Sequence, residues 1–273
     1  MFWVRVKKKT SLPATVTADD RPTEKLSAHT APKLSTQWVD DSCVIFCLPT
    51  TPEALTERWF DPAYWEAQHK TVDRRIGRST TYFFKENDVT HVLRHYWRGG
   101  LIGKFIRDRY LFTGITQSRV YRELELLSKL DEMHLPVGKP IAAILKRHGL
   151  FYRGSVITRA IESSSNLLEI LRQRELTNSE IVAVAKMLAN FHRKGVDHAD
   201  LNISNILLDA DGRPYLVDFD RGRIRRSNPV WQQANIRRLE RSFAKQKRLH
   251  QGLAWTVDDW DLLMTTYLFE LAA

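Results

Sequence analysis

Residues 198–220 read "HADLNISNILLDADGRPYLVDFD", and two acids, Asp218 and Asp220, end its apolar run "YLVDFD". A buried strand ordinarily carries Val, Ile or Leu there, because a carboxylate removed from water is costly unless it finds a partner. The apolar runs on either side of "DADGRP" predict a β-hairpin that turns at residues 210–213, with Asp211-Gly212 at its tip. The polar and irregular "VDHADLNISN" before the hairpin predicts a loop.

Three polar residues of this stretch form a chemically useful set. The second strand of a hairpin returns beside the first, so we expect Asn205 and Asp218 to be neighbours. An amide oxygen next to a carboxylate suits Mg²⁺ rather than zinc. Asp200, on the same loop, would then accept a proton from a hydroxyl held near the metal, which is the arrangement that phosphoryl transfer needs. The alternative is that these residues only shape a turn, as we expect of Asp209 and Asp211.

Length and composition indicate a globular protein with an anionic partner. The 273 residues suit one large domain or two lobes, and no apolar run approaches the ~20 residues of a membrane span. The basic N-terminus lacks the apolar core of a secretory signal, so we expect a cytosolic protein. The net charge of +10 favours nucleic acid, a phosphorylated ligand or an anionic membrane surface as partner. The two cysteines, Cys43 and Cys47, are expected to be buried and reduced.

Patterns along the chain predict an α+β protein with two lobes and a cleft between them. Residues 1–35 read as a flexible tail, residues 36–162 as a strand-rich lobe with one long helix, and residues 163–273 as a helical lobe around the hairpin. The apolar spacing of Val120, Leu124, Leu127 and Leu130 predicts the first lobe's helix.

Capping signals mark two helices of the second lobe. Thr177 with Glu180 resembles a capping box before a helix over residues 178–194, and Gly195 would end that helix. Thr256 is the candidate N-cap of a final helix.

The loop and hairpin resemble the protein-kinase-like superfamily. "HADLNISNILL" is similar to its catalytic loop, in which Asn follows Asp by five residues, and "VDFD" is similar to its metal-binding Asp-Phe-Gly segment. "HVLRHYWRGG", "KFIRDRYLFTG" and "LPVGKPIAA" narrow the resemblance to the lipopolysaccharide core kinases of Gram-negative bacteria, and among them to the 3-deoxy-D-manno-octulosonic acid (Kdo) kinases. The resemblance extends from about Thr36 to the C-terminus.

This resemblance implies a bilobal protein-kinase-like fold that uses ATP and Mg²⁺. It implies phosphorylation of the 4-hydroxyl of Kdo on Kdo-lipid IV-A, an acidic lipid A precursor, by a peripheral protein at the cytoplasmic face of the inner membrane. By resemblance, Asp200 is the general base, Asn205 and Asp218 are the Mg²⁺ ligands, and His198 holds the loop together. Glu123 stands where the helix glutamate of the first lobe belongs, with Glu125 as the alternative.

Three positions depart from the protein-kinase pattern. Arg94 replaces the lysine that contacts the nucleotide phosphates, and we expect it to pair with the helix glutamate. Asp220 replaces the glycine of Asp-Phe-Gly, where it either binds the metal or accepts bonds from the arginines that follow. Gly77 is a single glycine in the place of the glycine-rich turn, so it either caps a phosphate or belongs to an ordinary hairpin.

The same residues also fit other functions. A heptose, aminoglycoside-type or protein kinase would use the same catalytic residues, and a catalytically inactive scaffold of this fold is a further alternative. A nucleic-acid-binding protein is disfavoured, because the basic stretches lack interleaved aromatic residues for base stacking. Two basic stretches are instead candidates to hold an acidic glycolipid at a membrane: Arg98, Lys104, Arg107 and Arg109; and Arg221, Arg223, Arg225 and Arg226.

Overall fold

A computed structural model describes residues 34–49, 51, 55–76, 80–96 and 110–273 of the chain. In these ranges, eight strands form one antiparallel sheet in the order β1-β2-β7-β8-β5-β4-β3, with the short β6 paired to β8. Their bounds are β1 Ser35–Asp40, β2 Cys43–Cys47, β3 Thr71–Ile76, β4 Thr80–Glu86, β5 Val89–His95, β6 Tyr110–Leu111, β7 Pro140–His148 and β8 Phe151–Arg159.

Both faces of this sheet are covered, which explains its apolar central strands. Alternate residues of a strand point to opposite faces, so Val44 and Phe46 pack on one side with the helix α2, Arg119–Glu132. Cys43 and Ile45 pack on the other side with Trp59 and its neighbours. That second layer consists of a 3-10 helix, Glu57–Phe60, followed by α1, Pro62–Ala67.

The second lobe is built from helices around two small sheets. Its main core contains buried residues of the four helices that follow α2 in the chain, and these pack against the C-terminal half of α2. The elements are β9 Ser165–Asn166, α3 Leu167–Leu171, α4 Asn178–Arg193, β10 Val196–Asp197, a 3-10 helix Ile203–Asn205, β11 Ile206–Leu208, β12 Pro214–Leu216, β13 Arg223–Ile224, α5 Pro229–Leu249 and α6 Val257–Ala272.

The structure confirms the α+β class and several local predictions. Val120, Leu124, Leu127 and Leu130 are buried on α2 as their spacing predicts. The capping box at the start of α4 is present, and Thr256 caps α6 in the same way. Strands β11 and β12 form the predicted hairpin, with Ile206 paired to Leu216 and Leu208 to Pro214.

Other features differ from the sequence analysis. Strands β1, β2 and β3 were not predicted, and the predicted loop contains the short β10 and a 3-10 helix. Both cysteines are free, but only Cys43 is buried, because it packs inside the apolar layer with Trp59, whereas Cys47 is partly exposed at the edge of that layer. The predicted tail lies almost entirely outside the described residues, and the division at residue 162 stays a prediction. None of the helices in the described ranges is long and apolar enough to span a bilayer.

Gly195 is required by the close approach of two backbones. Its φ of +76° is a conformation that residues with a side chain rarely adopt, and a Cβ there would lie 2.2 Å from the carbonyl oxygen of Arg225. We expect Gly195→Ala to lower the free energy of unfolding by about 1–3 kcal/mol. Gly252→Ala is the control, because nothing lies within 4 Å of its added Cβ. Equal urea midpoints for the two variants would contradict this account.

His192 joins α4 to α6, and its burial predicts that the protein loses stability in mild acid. Its Nδ1 lies 2.7 Å from the hydroxyl oxygen of Tyr267, and burial lowers its pKa to about 4. The unfolded chain therefore takes up this proton first, so stability falls as the pH falls from about 6.5 toward 4.

We expect His192 alone to make the free energy of unfolding about 1–2 kcal/mol lower at pH 5 than at pH 7.5. Urea titrations of wild type and His192→Gln at the two pH values measure this difference. The exposed His148 provides the control variant, His148→Gln. An unchanged pH dependence in His192→Gln would show that this ring is not the source.

Candidate active site

Arg94 makes two ion pairs, one within the first lobe and one that reaches the second lobe. It lies on β5, where its Nη2 donates to Oε1 of Glu123 on α2 and its Nη1 donates to Oδ1 of Asp218, which follows β12. Its guanidinium also lies over the ring of Tyr96, 5.7 Å from the centroid. The expected Arg94–Glu123 contact is therefore present, and the same cation reaches the segment that resembles Asp-Phe-Gly.

The choice between the two glutamates of α2 follows from burial. The side chain of Glu123 is 1% exposed, whereas Glu125 lies at the surface and pairs with Lys129 at 3.3 Å. Burial raises the pKa of Glu123, and Arg94 opposes that rise. Burial by itself would lower the pKa of Arg94, but Glu123 and Asp218 raise it above its ordinary value. This cation therefore stays charged.

Asn205 and Asp218 are neighbours, as the hairpin predicts. The amide of Val217 donates to the carbonyl of Asn205 over 3.0 Å, and both side chains line the same cavity. The Nδ2 of Asn205 donates to the carbonyl of Asp200 at 3.1 Å, so Oδ1 is the side-chain atom that can act as a ligand. Asp218 has a φ of +69°, a strained conformation of the kind found at functional sites.

This pair of donors fits Mg²⁺. Both supply hard oxygen atoms, and Mg²⁺ commonly takes only one or two protein ligands and fills its other positions with water and substrate phosphates. In the described ranges, no group of three or more His, Cys, Asp and Glu side chains is placed to hold a metal. The role of Asn205 and Asp218 as metal ligands stays a prediction.

His198 fastens the loop to the strand that carries Asp218. Its Nε2 lies 2.9 Å from the carbonyl of Val217, and its Nδ1 accepts from the amide of Asp200 over 3.3 Å. Burial lowers the pKa of His198, so the ring is neutral and its Nε2 carries the proton that Val217 accepts. The ring also packs on Phe219 at 4.7 Å. These contacts suit the structural role expected of this histidine.

Asp200 lies on the loop and is more exposed than His198. Its carboxylate is 43% exposed and pairs with Arg238 of α5 at 3.1 Å. The cavity lining includes Asn205 and Asp218 but not Asp200. The candidate base therefore lies beside the candidate metal ligands with its carboxylate open to solvent, where an acceptor molecule can reach it.

Two further residues of the sequence analysis have different outcomes. Asp220 pairs with Arg119 at the start of α2, at 3.3 Å, rather than with the arginines that follow it. Burial raises the pKa of Asp220, and Arg119 opposes the rise. Its side chain braces α2 against the hairpin and does not line the cavity. Gly77 lies outside the described residues, as do the basic residues at positions 98–109.

Asp197 is a site residue that the sequence analysis missed. This buried acid precedes His198 and accepts from Asn235 at 3.1 Å and from Arg223 and Arg225 at 3.2 Å each. Burial opposes its ionisation, but these donors lower its pKa. Two arginines expected to bind a substrate thus hold the loop in place. The run of arginines after "VDFD" indicates that a buried acid could pair with them. Asp197, the acid that does so, lies 26 and 28 residues away from them in sequence.

A cavity of about 750 Å³ lies between the lobes. Polar groups meet at one part of it, where Arg94, Glu123, Asn205 and Asp218 lie. One buried oxygen there, Oε2 of Glu123, has no hydrogen-bond partner among the residues that the structure describes. The remaining walls mix apolar residues with polar and charged ones, and the segment between β8 and β9 contributes to them. A cavity of this size is typical of small-molecule sites, and its apolar lining residues include Val92, Leu127, Val156, Leu207 and Val217.

A sheet lobe, a helical lobe and a cation between two carboxylates at their junction define a kinase-like phosphotransferase. The family comparison makes this more specific. The chain belongs to the lipopolysaccharide kinase (Kdo/WaaP) family, whose model matches residues 62–267. This finding confirms the resemblance that the loop and hairpin motifs indicate.

Curated proteins are similar to the chain over most of its length. A 3-deoxy-D-manno-octulosonic acid kinase of Vibrio vulnificus (strain YJ016) is 39% identical over 208 residues, 76% of this chain and 87% of that protein. The protein of the same name from Vibrio parahaemolyticus is 34% identical and covers 83% of this chain and 94% of its own. The one from Haemophilus influenzae (strain 86-028NP) is 34% identical and covers 84% and 97%.

The contrast between the two glutamates of α2 gives a direct test. Glu123→Gln removes the charge that holds Arg94 in place, so we expect kcat/KM for ATP to fall roughly 100-fold, as misplaced catalytic groups commonly cause. Glu125→Gln changes the same group at the surface and should leave turnover within about twofold, since an exposed pair contributes little. Steady-state kinetics measure both. Equal losses would contradict a specific role for Glu123.

Proposed function

We propose that this chain transfers the γ-phosphoryl group of ATP to the 4-hydroxyl of Kdo on Kdo-lipid IV-A, in lipopolysaccharide core biosynthesis. The observation that carries the proposal is the meeting of Arg94, Asn205 and Asp218 at one cavity beside the loop of Asp200. The names of the similar proteins support Kdo as the acceptor.

In the proposed reaction, an oxygen–phosphorus bond forms between the acceptor hydroxyl and the γ-phosphorus. The bond from that phosphorus to the β,γ-bridging oxygen breaks, and ADP leaves with the electron pair. Asp200 accepts the hydroxyl proton, and the Arg94 cation, which lies between Glu123 and Asp218, attracts the phosphate oxygens. Mg²⁺, held by Asn205 and Asp218, would supply neutralising charge to the triphosphate.

Location at the cytoplasmic face of the inner membrane is part of this proposal. The acceptor is an acidic glycolipid, and the chain carries a net charge of +10. Arg221 and Arg226 are exposed, and each basic residue near an anionic bilayer contributes about 1 kcal/mol of attraction. Arg223 and Arg225 are exposed as well but pair with Asp197. A nucleic-acid partner has no place in this proposal.

An acceptor panel tests the function. The purified protein is incubated with ATP, Mg²⁺ and, in separate reactions, Kdo-lipid IV-A, a heptose-bearing core acceptor and a protein substrate. Mass spectrometry then detects the added phosphate. We expect phosphate on Kdo, and its attachment to the 4-hydroxyl by NMR. Transfer to heptose or protein alone would favour the alternative of a related kinase with another acceptor and would reject the proposal.

The same assay tests the base. Asp200→Asn removes the proton acceptor, so turnover should fall by ~10²–10⁴-fold. Asp211→Asn makes the same chemical change at the exposed hairpin tip, where Asp211 pairs only with Arg213 among the described residues, at 3.0 Å. It should leave turnover near wild type. Near-normal turnover in Asp200→Asn would exclude this residue as the base.

A further inference from the structure

Helix α5 is fixed to the catalytic loop along one of its faces. The side chain of Asn235 donates to Oδ1 of Asp197 over 3.1 Å, immediately before the loop. The hydroxyl of Ser242, two turns further along, accepts from the amide of Ile203 over 3.0 Å, within the loop. Two anchors seven residues apart lie on the same face of a helix. The position of α5 relative to Asp200 is therefore set by contacts on both sides of that aspartate.

A row of cations runs beside this anchoring face. Arg238, Arg241 and Lys245 are spaced by three and four residues, so they lie on one side of the helix, and all three are exposed. We call them the α5 cationic flank. Arg238 is the member that reaches the loop, through its ion pair with Asp200 at 3.1 Å. Within the part of the chain that the structure describes, Arg241 and Lys245 make no ion pair.

A solvated helix face is a common reason for such charges, but Arg238 is placed differently. Its partner is the carboxylate that must be free to take the acceptor's proton. Because both side chains are close to half exposed, their pairing is weak. An anionic ligand can therefore replace Asp200 as the partner of the Arg238 guanidinium at a small cost in free energy. Arginine also presents a planar fork that matches a carboxylate in two parallel hydrogen bonds.

We propose that Arg238, supported by Arg241 and Lys245, binds the carboxylate of the acceptor sugar next to Asp200. This inference rests on the proposed function, since Kdo carries that carboxylate. Binding exchanges the Arg238–Asp200 pair for an Arg238–acceptor pair. The exchange turns the acceptor hydroxyl toward Asp200 and frees the Asp200 carboxylate at the same moment. A sugar without the acidic group leaves Arg238 on Asp200 and is a poor acceptor.

The test compares two acceptors and three variants. The acceptors are Kdo-lipid IV-A and the same glycolipid with its Kdo carboxyl group converted to a methyl ester. The variants are Arg238→Gln, Arg238→Lys and the control Arg237→Gln. Arg237 lies on the outward side of α5, where its Nη2 donates to Oε1 of Gln233 at 3.4 Å. Initial rates at varied acceptor and varied ATP give KM for each substrate separately.

We expect Arg238→Gln to raise the acceptor KM roughly 10- to 100-fold, the range of a lost charged hydrogen bond, with the KM for ATP unchanged. The ester should weaken the wild type by a similar factor, and Arg238→Gln should add little further loss with it, because both changes remove one interaction. Arg238→Lys keeps the charge without the fork and should fall between. Arg237→Gln should behave as wild type with both acceptors.

Equal fold-losses of Arg238→Gln with the acid and the ester would overturn the inference, because Arg238 would then act only on Asp200 or on the fold. If Arg238→Gln does not fold, the comparison of the two acceptors in Arg238→Lys decides by the same criterion. Failure of the wild type to phosphorylate either Kdo acceptor is a separate result. It would reject the proposed function, and the carboxylate subsite with it.

Discussion

The burial of Glu123 sets the geometry of the whole site. A carboxylate that is removed from water destabilises a protein unless a cation joins it, and Arg94 is the cation that does so here. Because Arg94 also bonds Asp218, one guanidinium determines how the sheet, helix α2 and the strand end after the hairpin meet. The cavity between the lobes opens at this junction. Helix α2 therefore belongs to both cores, with Leu124 packed against the sheet and Leu127 against the helical lobe.

A second set of contacts holds the loop that carries Asp200. The neutral ring of His198 bonds the strand end before Asp218, while Asp197 collects donors from α5 and from β13. Buried groups thus fix the loop, while the Asp200 carboxylate stays 43% exposed. A rigid loop with one open acid suits chemistry that depends mainly on positioning and on charge. On this view, α5 is the platform on which an acidic acceptor meets that acid.

Local sequence patterns predict much of this protein, and the misses share a physical cause. Helical spacing and caps predict α2, α4 and α6. The apolar runs and turn residues of the hairpin predict that Asn205 lies next to Asp218. Strand β2 escapes prediction because a short run buried on both faces shows no alternation, and β1 escapes because its residues are exposed along the whole strand and show none either. The partners of Asp197, Asp220 and Asp200 are arginines distant in sequence. Such pairs depend on how elements pack, which no local pattern records.

Calorimetric titration of ATP with and without Mg²⁺ tests the central claim most directly, namely that Asp218, at the junction held by Arg94, is a ligand of the metal that accompanies ATP. The account predicts that Mg²⁺ strengthens ATP binding to the wild type and that Asp218→Asn loses most of this gain. It also predicts that the exposed-acid control Asp211→Asn keeps the gain. An equal Mg²⁺ dependence in the wild type and Asp218→Asn would contradict the account, because the carboxylate bonded to Arg94 would then have no part in holding the metal.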